Sequence, residues 1–306
     1  MKAVSVIVCT HNRAALLGRL VGSLTAQPAF AEWQPGCPHE IMIIDDGSTD
    51  KTPELCKEWA QRYVYLRSFR HSENKGLAAA RNTGIREANN DDLLFVDDDC
   101  VAAPAWLEQL AGALEEHAIV AGSIETPFRP FFLLAFNVAT FHPFLPGRRS
   151  GPAESLAGAN FALRRSVCSR VGTFDESLTC AEDFEFLLRA RSLGLSAWFE
   201  STAAVLHIPP RDSLSVLLRY AAAHASTTIL LRQRFGTVMN TPRILRHPLP
   251  LALSTPFLAA GVTLKIFLSN RKAWRYLHIA PFVFASKMAW CAGACRSLMR
   301  QRKNAV

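Results

Sequence analysis

At 306 residues the chain can bury a substantial core and form one large domain or two smaller ones. Its apolar content of 49%, mean hydropathy of +0.10 and formal net charge of +8 invite a search for membrane contact and an anionic partner. No RNA-binding signature or aromatic-interleaved basic run is present, which sets nucleic acid aside as a partner.

Val4–Cys9 (VSVIVC) is a short, β-branched apolar run that reads as a first buried strand. It ends in Thr10, His11, Asn12 and Arg13, and a helix with Leu16, Leu17, Leu20, Val21 and Leu24 on one face follows. Residues 28–38 read as a connecting loop. A second strand, Ile41–Ile44, ends in Asp45-Asp46-Gly47-Ser48-Thr49-Asp50, followed by a helix over 51–62 and a short strand over 64–66. Asn74-Lys75-Gly76 opens a helix that carries Arg81. Leu93–Val96 is a strand buried on both faces, running into Asp97, Asp98 and Asp99. A helix over 106–116 and a strand over 119–122 complete this alternation. It predicts right-handed βαβ crossovers and a mostly parallel sheet flanked by helices. The polar ends of the first, second and fourth strands then face one crevice.

Beyond Gly122 the rhythm breaks. Residues 127–146, rich in Phe and Pro, read either as a hydrophobic lid or packing loop or as a surface dipping into lipid. Residues 155–163 resume a strand pattern, 166–172 suit a short helix, and Glu182-Asp183 opens a helix with Phe186, Leu187 and Leu188. Two short strands are expected at 196–200 and 203–207, ending in His207. Residues 213–235 suit an amphipathic helix. The stretches 249–268 and 277–295 approach the ~20 residues a spanning helix needs, though prolines and lysines interrupt both. Basic residues flank both, so the positive-inside rule assigns no orientation. Spanning, re-entrant and in-plane arrangements all remain open. The expected organisation is a domain over 1–210 and a hydrophobic, basic, membrane-associating region over 211–306. The eight cysteines form no C-x-x-C pair and read as reduced, mostly buried thiols in a cytosolic setting. The run at Val4–Cys9 is too short for a secretory signal.

Three carboxylates at a strand end raise one another's pKa unless a cation joins them, which suits a divalent ion; a helix-capping turn is the alternative. Asp45 can accept the ring N–H of a nucleobase or a ribose hydroxyl, or can close an Asx-turn, a turn role that Asp46 and Asp50 fit better. Lys75 and Arg81 suit a diphosphate or nucleotide, or are solvated helix cations. Asp183 is a candidate base if its helix faces the Asp97–Asp99 rim; acids at a helix start are also expected from the dipole alone. His207 is a candidate metal ligand or a structural imidazole.

Together, VSVIVCTHNR (4–13), IIDDGSTD (43–50), NKGLAAARNTGI (74–85), FVDDDC (95–100), GANFALRR (158–165) and AEDFEFLLRA (181–190) resemble the family 2 inverting glycosyltransferases of GT-A fold. They occur in the family's order over roughly the first 210 residues, and six in order is a specific signal. The resemblance implies a Rossmann-like sheet, a nucleotide-diphospho-sugar donor and Mg²⁺ or Mn²⁺. Asp45 then contacts the base; Thr10, Arg13, Lys75 and Arg81 line the nucleotide pocket; Asp97 lies near the ribose, with Asp98 beside it; Asp99 binds metal. Asp183 matches the general base that deprotonates the acceptor hydroxyl during a single inverting displacement. Residues 232–235 read Arg-Gln-Arg-Phe rather than the Q-x-x-R-W of processive synthases, so one or a few sugars are transferred. The apolar C-terminal stretch, and no motif, adds the expectation of a lipid-linked or cell-envelope glycan as acceptor, used at the cytoplasmic face of the membrane. The competing readings are a nucleotidyltransferase acting on sugar phosphates and an inactive nucleotide-sugar-binding protein. The former predicts a Gly-rich basic loop after the first strand, where this chain has CTHNR.

Overall fold

A computed structural model describes residues 2–34 and 37–304. Positions 35 and 36 of the expected 28–38 loop lie outside the described residues. In chain order the elements are β1 Val4–Thr10, α1 Ala14–Thr25, α2 Pro28–Ala31, β2 Glu40–Asp45, α3 Thr52–Arg62, β3 Leu66–Arg70, α4 Leu77–Glu87, β4 Asp92–Val96, β5 Cys100–Ala102 and α5 Trp106–Glu116. There follow β6 Ile119–Glu125, α6 Phe131–Phe141, β7 Gly151–Ala153, β8 Asn160–Arg164, α7 Arg165–Val171, α8 Glu182–Ser192, β9 Ala197–His207, α9 Leu214–Arg234, α10 Pro248–Ser269 and α11 Ala280–Asn304.

The chain divides into two compact units, one of residues 1–125 and 149–208, the other of 126–148 and 209–306. The first is an α/β unit around a sheet of order β3-β2-β1-β4-β8-β6-β9-β5, with β7 paired to β9. Strands β2 and β4 are buried throughout, and β1 nearly so, as their unbroken apolar runs require of strands covered on both faces. The β3-β2-β1-β4 portion is parallel, as expected. Beyond it the sheet is mixed: β8 runs antiparallel between β4 and β6, and β5 runs antiparallel to β9. Only Asp97–Asp99 separates β4 from β5, far too few residues for a parallel crossover.

The two strands expected at 196–200 and 203–207 are one element. Its pairing with β6 jumps from Gly122↔Glu200 to Ser123↔Ala204, so residues 201–203 bulge out of register. Asn160 pins this bulge. Its Nδ2 donates to the Ser123 and Ala203 carbonyls, both at 2.9 Å, and its Oδ1 accepts from Trp106 Nε1 at 2.8 Å. Gly122 is needed because a Cβ there would lie 2.2 Å from Asn160 Nδ2.

The second unit is helical. Helix α6, within the segment read as a lid or a lipid-dipping surface, belongs to this unit's core: Leu134, Phe136 and Val138 pack with Leu217, Ile266 and Val283. The division therefore differs from a cut at residue 210, because α6 is apolar on nearly every side and needs helical neighbours to cover it. Among the described residues, Leu214–Arg234 and Pro248–Ser269 are long and apolar enough to cross a membrane by length and composition. The stretch expected at 277–295 begins in a 3-10 segment, Arg271–Ile279, and continues as α11. Pro281 sits in the first turn of α11, where a missing N–H costs nothing.

Candidate functional site

The register of the parallel strands builds the site. Thr10 pairs with Asp45, and Ile7 pairs with Phe95. The residues three positions past Ile7 and Phe95, Thr10 and Asp98, therefore reach the same level. Thr10 Oγ1 donates to Asp98 Oδ2 at 2.7 Å. Arg13, just beyond the same strand, donates from Nη1 to Asp98 Oδ1 at 3.1 Å and to Asp99 Oδ2 at 2.7 Å. In the antiparallel β5–β9 pair Cys100 lies opposite His207, which sets the imidazole against the preceding Asp99. His207 Nε2 and Asp99 Oδ1 are 3.2 Å apart.

Asp97, Asp99 and His207 each offer a ligand atom, and these atoms lie within 4.8 Å of one another. Asp99 Oδ1 is buried and faces the imidazole nitrogen of His207. Two lone-pair-bearing atoms at that distance must share either a proton or a cation. Two carboxylates and an imidazole suit Mn²⁺ and, with water filling the remaining positions, Mg²⁺. The donor set thus fits the divalent ion expected from the sequence.

The three carboxyls differ in their electrostatics. Burial raises that of Asp98 to about 6, against the Arg13 charge and the hydrogen bonds from Thr10 and Arg13. Burial would also raise Asp99, but the His207 hydrogen bond and charge, with Arg13, outweigh it and hold this carboxyl at about 2. Asp97 is pushed upward by desolvation and by its acidic neighbours, although a third of its side chain still meets solvent and Arg81 opposes the rise.

Asp183 opens α8 behind a left-handed residue, Ala181 at φ 62°, a conformation a non-glycine residue adopts only at a cost of about 1 kcal/mol or more. Its Oδ1 accepts from the Phe184 N–H at 2.8 Å. Burial and the adjacent Glu182 charge raise its carboxyl to about 6, against the opposing Arg81 charge. Gly158 abuts it closely, since a Cβ at that position would lie 2.7 Å from Asp183 Oδ2.

Arg81, expected in the nucleotide pocket, is engaged by protein groups. Its side chain is only 3% exposed, ion-paired with Glu182, 3.3 Å from Asp97 Oδ1, and donates to the Gly158 carbonyl at 2.8 Å. Its guanidinium lies over the Phe161 and Phe174 rings, at 5.4 and 5.7 Å. A cation so enclosed acts on the site's carboxylates. The alanines of α4 around it are buried too, so this helix end is core where a solvated face was one expectation.

Asp45 places its two carboxylate oxygens in different surroundings. Oδ1 accepts from Ser48 N at 2.9 Å, a turn closure, whereas buried Oδ2 accepts no hydrogen bond and lies 3.3 Å from Arg70 Nε. A cleft of about 240 Å³ opens beside it, lined also by Cys56, Phe69 and Arg70. Lys75 does not join the carboxylate cluster. It is exposed and lines a second cleft with His71, Thr83, Arg86 and Glu176.

Asp46, read from the sequence only as turn chemistry, holds the Asn74–Gly76 loop. It accepts from the Lys75 and Gly76 N–H groups at 2.9 and 2.8 Å and bonds His71 Nδ1 at 2.6 Å. Gly47, at φ 73°, lets the loop approach, since a Cβ there would meet the Glu73 backbone at 2.4 Å. Asn12 Oδ1 clips the first two rim loops by accepting from the Thr49 and Asp50 N–H groups at 2.7 and 3.2 Å. Glycine in Asp-Asp-Gly was the one local signal of this close approach; His71 carried none.

The chain was then compared with known proteins. A family model described as glycosyl transferase family 2 matches residues 5–172. Glycosyltransferase AglE of Haloferax volcanii is 27% identical over 198 residues, 64% of this chain and 64% of that protein. The pre-mycofactocin glycosyltransferase of Mycobacterium tuberculosis is 27% identical over 274 residues, 86% of this chain and 53% of that protein. The chain therefore spans less than two thirds of the length of these relatives. Among solved structures, the mannosyltransferase PcManGT from Pyrobaculum calidifontis in complex with GDP-Man and Mn²⁺ matches at a TM-score of 0.64 and 20% identity, covering 98% of this chain and 87% of that one. A fragment of S. aureus TarS, residues 1–349, matches at 0.55 and 17%, covering 99% and 92%. These likenesses show a shared GT-A fold.

Proposed function

The chain belongs to glycosyl transferase family 2, and from that premise we propose that it is a metal-dependent, inverting, non-processive glycosyltransferase. It moves a sugar from a nucleotide-diphospho-sugar to an acceptor hydroxyl of a lipid-linked or cell-envelope glycan, at the cytoplasmic face of a membrane. The observation that carries this reading is the Asp97–Asp99–His207 cluster, with Asp99 Oδ1 buried against the imidazole, together with a raised carboxyl at a helix start, Asp183. The GDP-Man and Mn²⁺ held by the Pyrobaculum mannosyltransferase support the same donor and ion classes here.

In this reading Asp99 and His207 would hold the ion, and Asp97 would serve the ion or the ribose. The ion, when bound, stabilises negative charge on the departing diphosphate. Arg13 and Thr10 keep Asp98 and Asp99 in position from the neighbouring strand. Asp45 Oδ2 accepts from the base, and the cleft beside it supplies room for a planar ring. Asp183 takes the proton of the acceptor hydroxyl, and a raised carboxyl is the better proton acceptor. Attack opposite the leaving group inverts the anomeric carbon.

The test is release of nucleoside diphosphate from a panel of nucleotide sugars with Mn²⁺. Asp99→Asn should abolish release, and Asp183→Asn should abolish transfer while donor binding persists. Release of pyrophosphate would make the protein a nucleotidyltransferase. Full turnover in Asp183→Asn would remove the base assignment.

A further inference from the structure

Charge divides between the two units as sharply as fold does. Segments 126–148 and 209–306 carry seventeen Lys and Arg against a single acid, Asp212, a formal +16. The α/β unit carries seventeen against twenty-five, a formal −8. The net +8 of the whole chain conceals this asymmetry.

Helix α10 has two apolar faces. Leu251, Ala259, Thr263, Ile266 and Phe267 are buried against the rest of the helical unit. Leu249, Leu253, Phe257, Leu264 and Leu268 face outward, between 59% and 80% exposed, at spacings of four residues except for one step of seven across Gly261. From Leu249 to Leu268 the stripe runs about 28 Å. The 3-10 segment 271–279 extends it with Trp274 and Leu277, 55% and 50% exposed. A contiguous apolar surface of this size marks an interaction site.

We infer that this unit is a monotopic membrane anchor, with α10 lying in the plane of an anionic phospholipid leaflet and its outer stripe in the acyl boundary. The inference rests on the membrane part of the reading above and is independent of the transfer chemistry.

Two observations separate this arrangement from a spanning one. Helix α9, the other helix long and apolar enough to cross, turns Ser215, Arg219, Ser226 and Arg234 outward, a polar face that cannot meet lipid. Exposed cations also frame both ends of the α10 stripe. Arg243 and Arg246 lie at one end, where Arg302 reaches His247 at 2.7 Å, and Lys272 and Arg275 lie at the other. Spanning would send one of these groups through the bilayer. Lying flat puts both at a single layer of anionic headgroups, with Trp274 at the depth where indole rings settle. A second copy is a poorer occupant for the stripe, because pairing would bring two units of +16 together with no acid between them but Asp212.

The test uses the full chain and vesicles of phosphatidylcholine alone or mixed with phosphatidylglycerol. Binding should require the anionic lipid and weaken with salt. Leu253→Glu with Phe257→Glu should reduce binding about tenfold or more. Because both side chains are already exposed, the thermal melt of that variant should not move. Lys272→Glu with Arg275→Glu should reduce binding about tenfold or more to anionic vesicles alone. In vesicle-bound protein, Arg246→Cys and Lys272→Cys should both react with an impermeant thiol reagent added outside, read by peptide mass against the native cysteines.

Binding with only one of those sites labelled would refute the in-plane arrangement while keeping membrane association. Failure to bind any vesicle would refute both. A dimer abolished by the Leu253→Glu and Phe257→Glu pair, without vesicle binding, would assign the stripe to a second copy. None of these readouts depends on glycosyl transfer, so their failure leaves the catalytic reading to its own test.

Discussion

Replacing Arg81 by Met removes a cation that balances two carboxylates in the interior of the α/β unit. The structure sets the size of the effect. Glu182 is 5% exposed and ion-paired with Arg81, so it is left as a buried charge without its partner. Breaking such a pair costs about 3–5 kcal/mol. The Gly158 carbonyl also loses its donor, and the Phe161 and Phe174 rings lose the guanidinium that lies over them. For a folded unit of this size, a loss of about 3–5 kcal/mol corresponds to a fall in Tm of about 6–20 °C. Arg81→Met combined with Glu182→Met removes both charges and should recover most of that loss, because apolar replacement of a buried pair is close to neutral. The coupling from the double-mutant cycle should reach about 2 kcal/mol. Chemical denaturation followed by near-ultraviolet circular dichroism measures all three proteins. A single variant within about 1 kcal/mol of the parent, or a double variant no more stable than the single, would refute the view of Arg81 as an internal counter-ion.

Other perturbations address other parts of the site. Asn160→Ala leaves the Ser123 and Ala203 carbonyls and the Trp106 indole N–H without their partner, and should cost about 3 kcal/mol in a denaturation curve. A change within experimental error would mean that the β9 bulge does not depend on this residue. Gly158→Ala pushes a methyl against Asp183 Oδ2; transfer should fall about a hundredfold while the Kd for the donor stays put, measured by kinetics beside titration calorimetry. Asp183, raised to about 6, should give transfer that falls about tenfold per pH unit below that value, as protonation removes the base. The stability effect has the opposite sign. A carboxyl whose folded pKa lies above its unfolded one favours the fold at low pH, and that contribution is lost as pH rises through about 6. Tm measured from pH 4 to pH 7 should therefore decline less in Asp183→Asn than in the parent, and an equal decline would contradict the shift.

Some of this site was legible in one dimension because its causes are local. Apolar runs at 4–9, 41–44 and 93–96 mark strands wherever they fold, and right-handed crossovers send their polar ends to one rim. That alone places Thr10, Asp45 and the Asp97–Asp99 run together. The motif order from 4 to 190 likewise carried the family, which the match over residues 5–172 shows. The roles within the rim were less legible. Asp46 read as turn chemistry, yet two N–H groups from the Asn74–Gly76 loop and the His71 ring converge on it.

What the sequence determined by itself is the order of strands and helices, the parallel half of the sheet and the acidic rim. Each of these follows from hydrophobic period, turn chemistry and chain handedness within a few residues. Only the tertiary structure decided which charges answer one another. Arg81 finds Glu182 at a separation of 101 positions, and His207 reaches Asp99 because β9 runs antiparallel to β5. It also assigned α6 to the helical unit and gave α10 an outer face that stays exposed among the described residues. The physical reason is the same in each case. A pairing between distant segments depends on register and burial, and neither is written in the residues on one side alone.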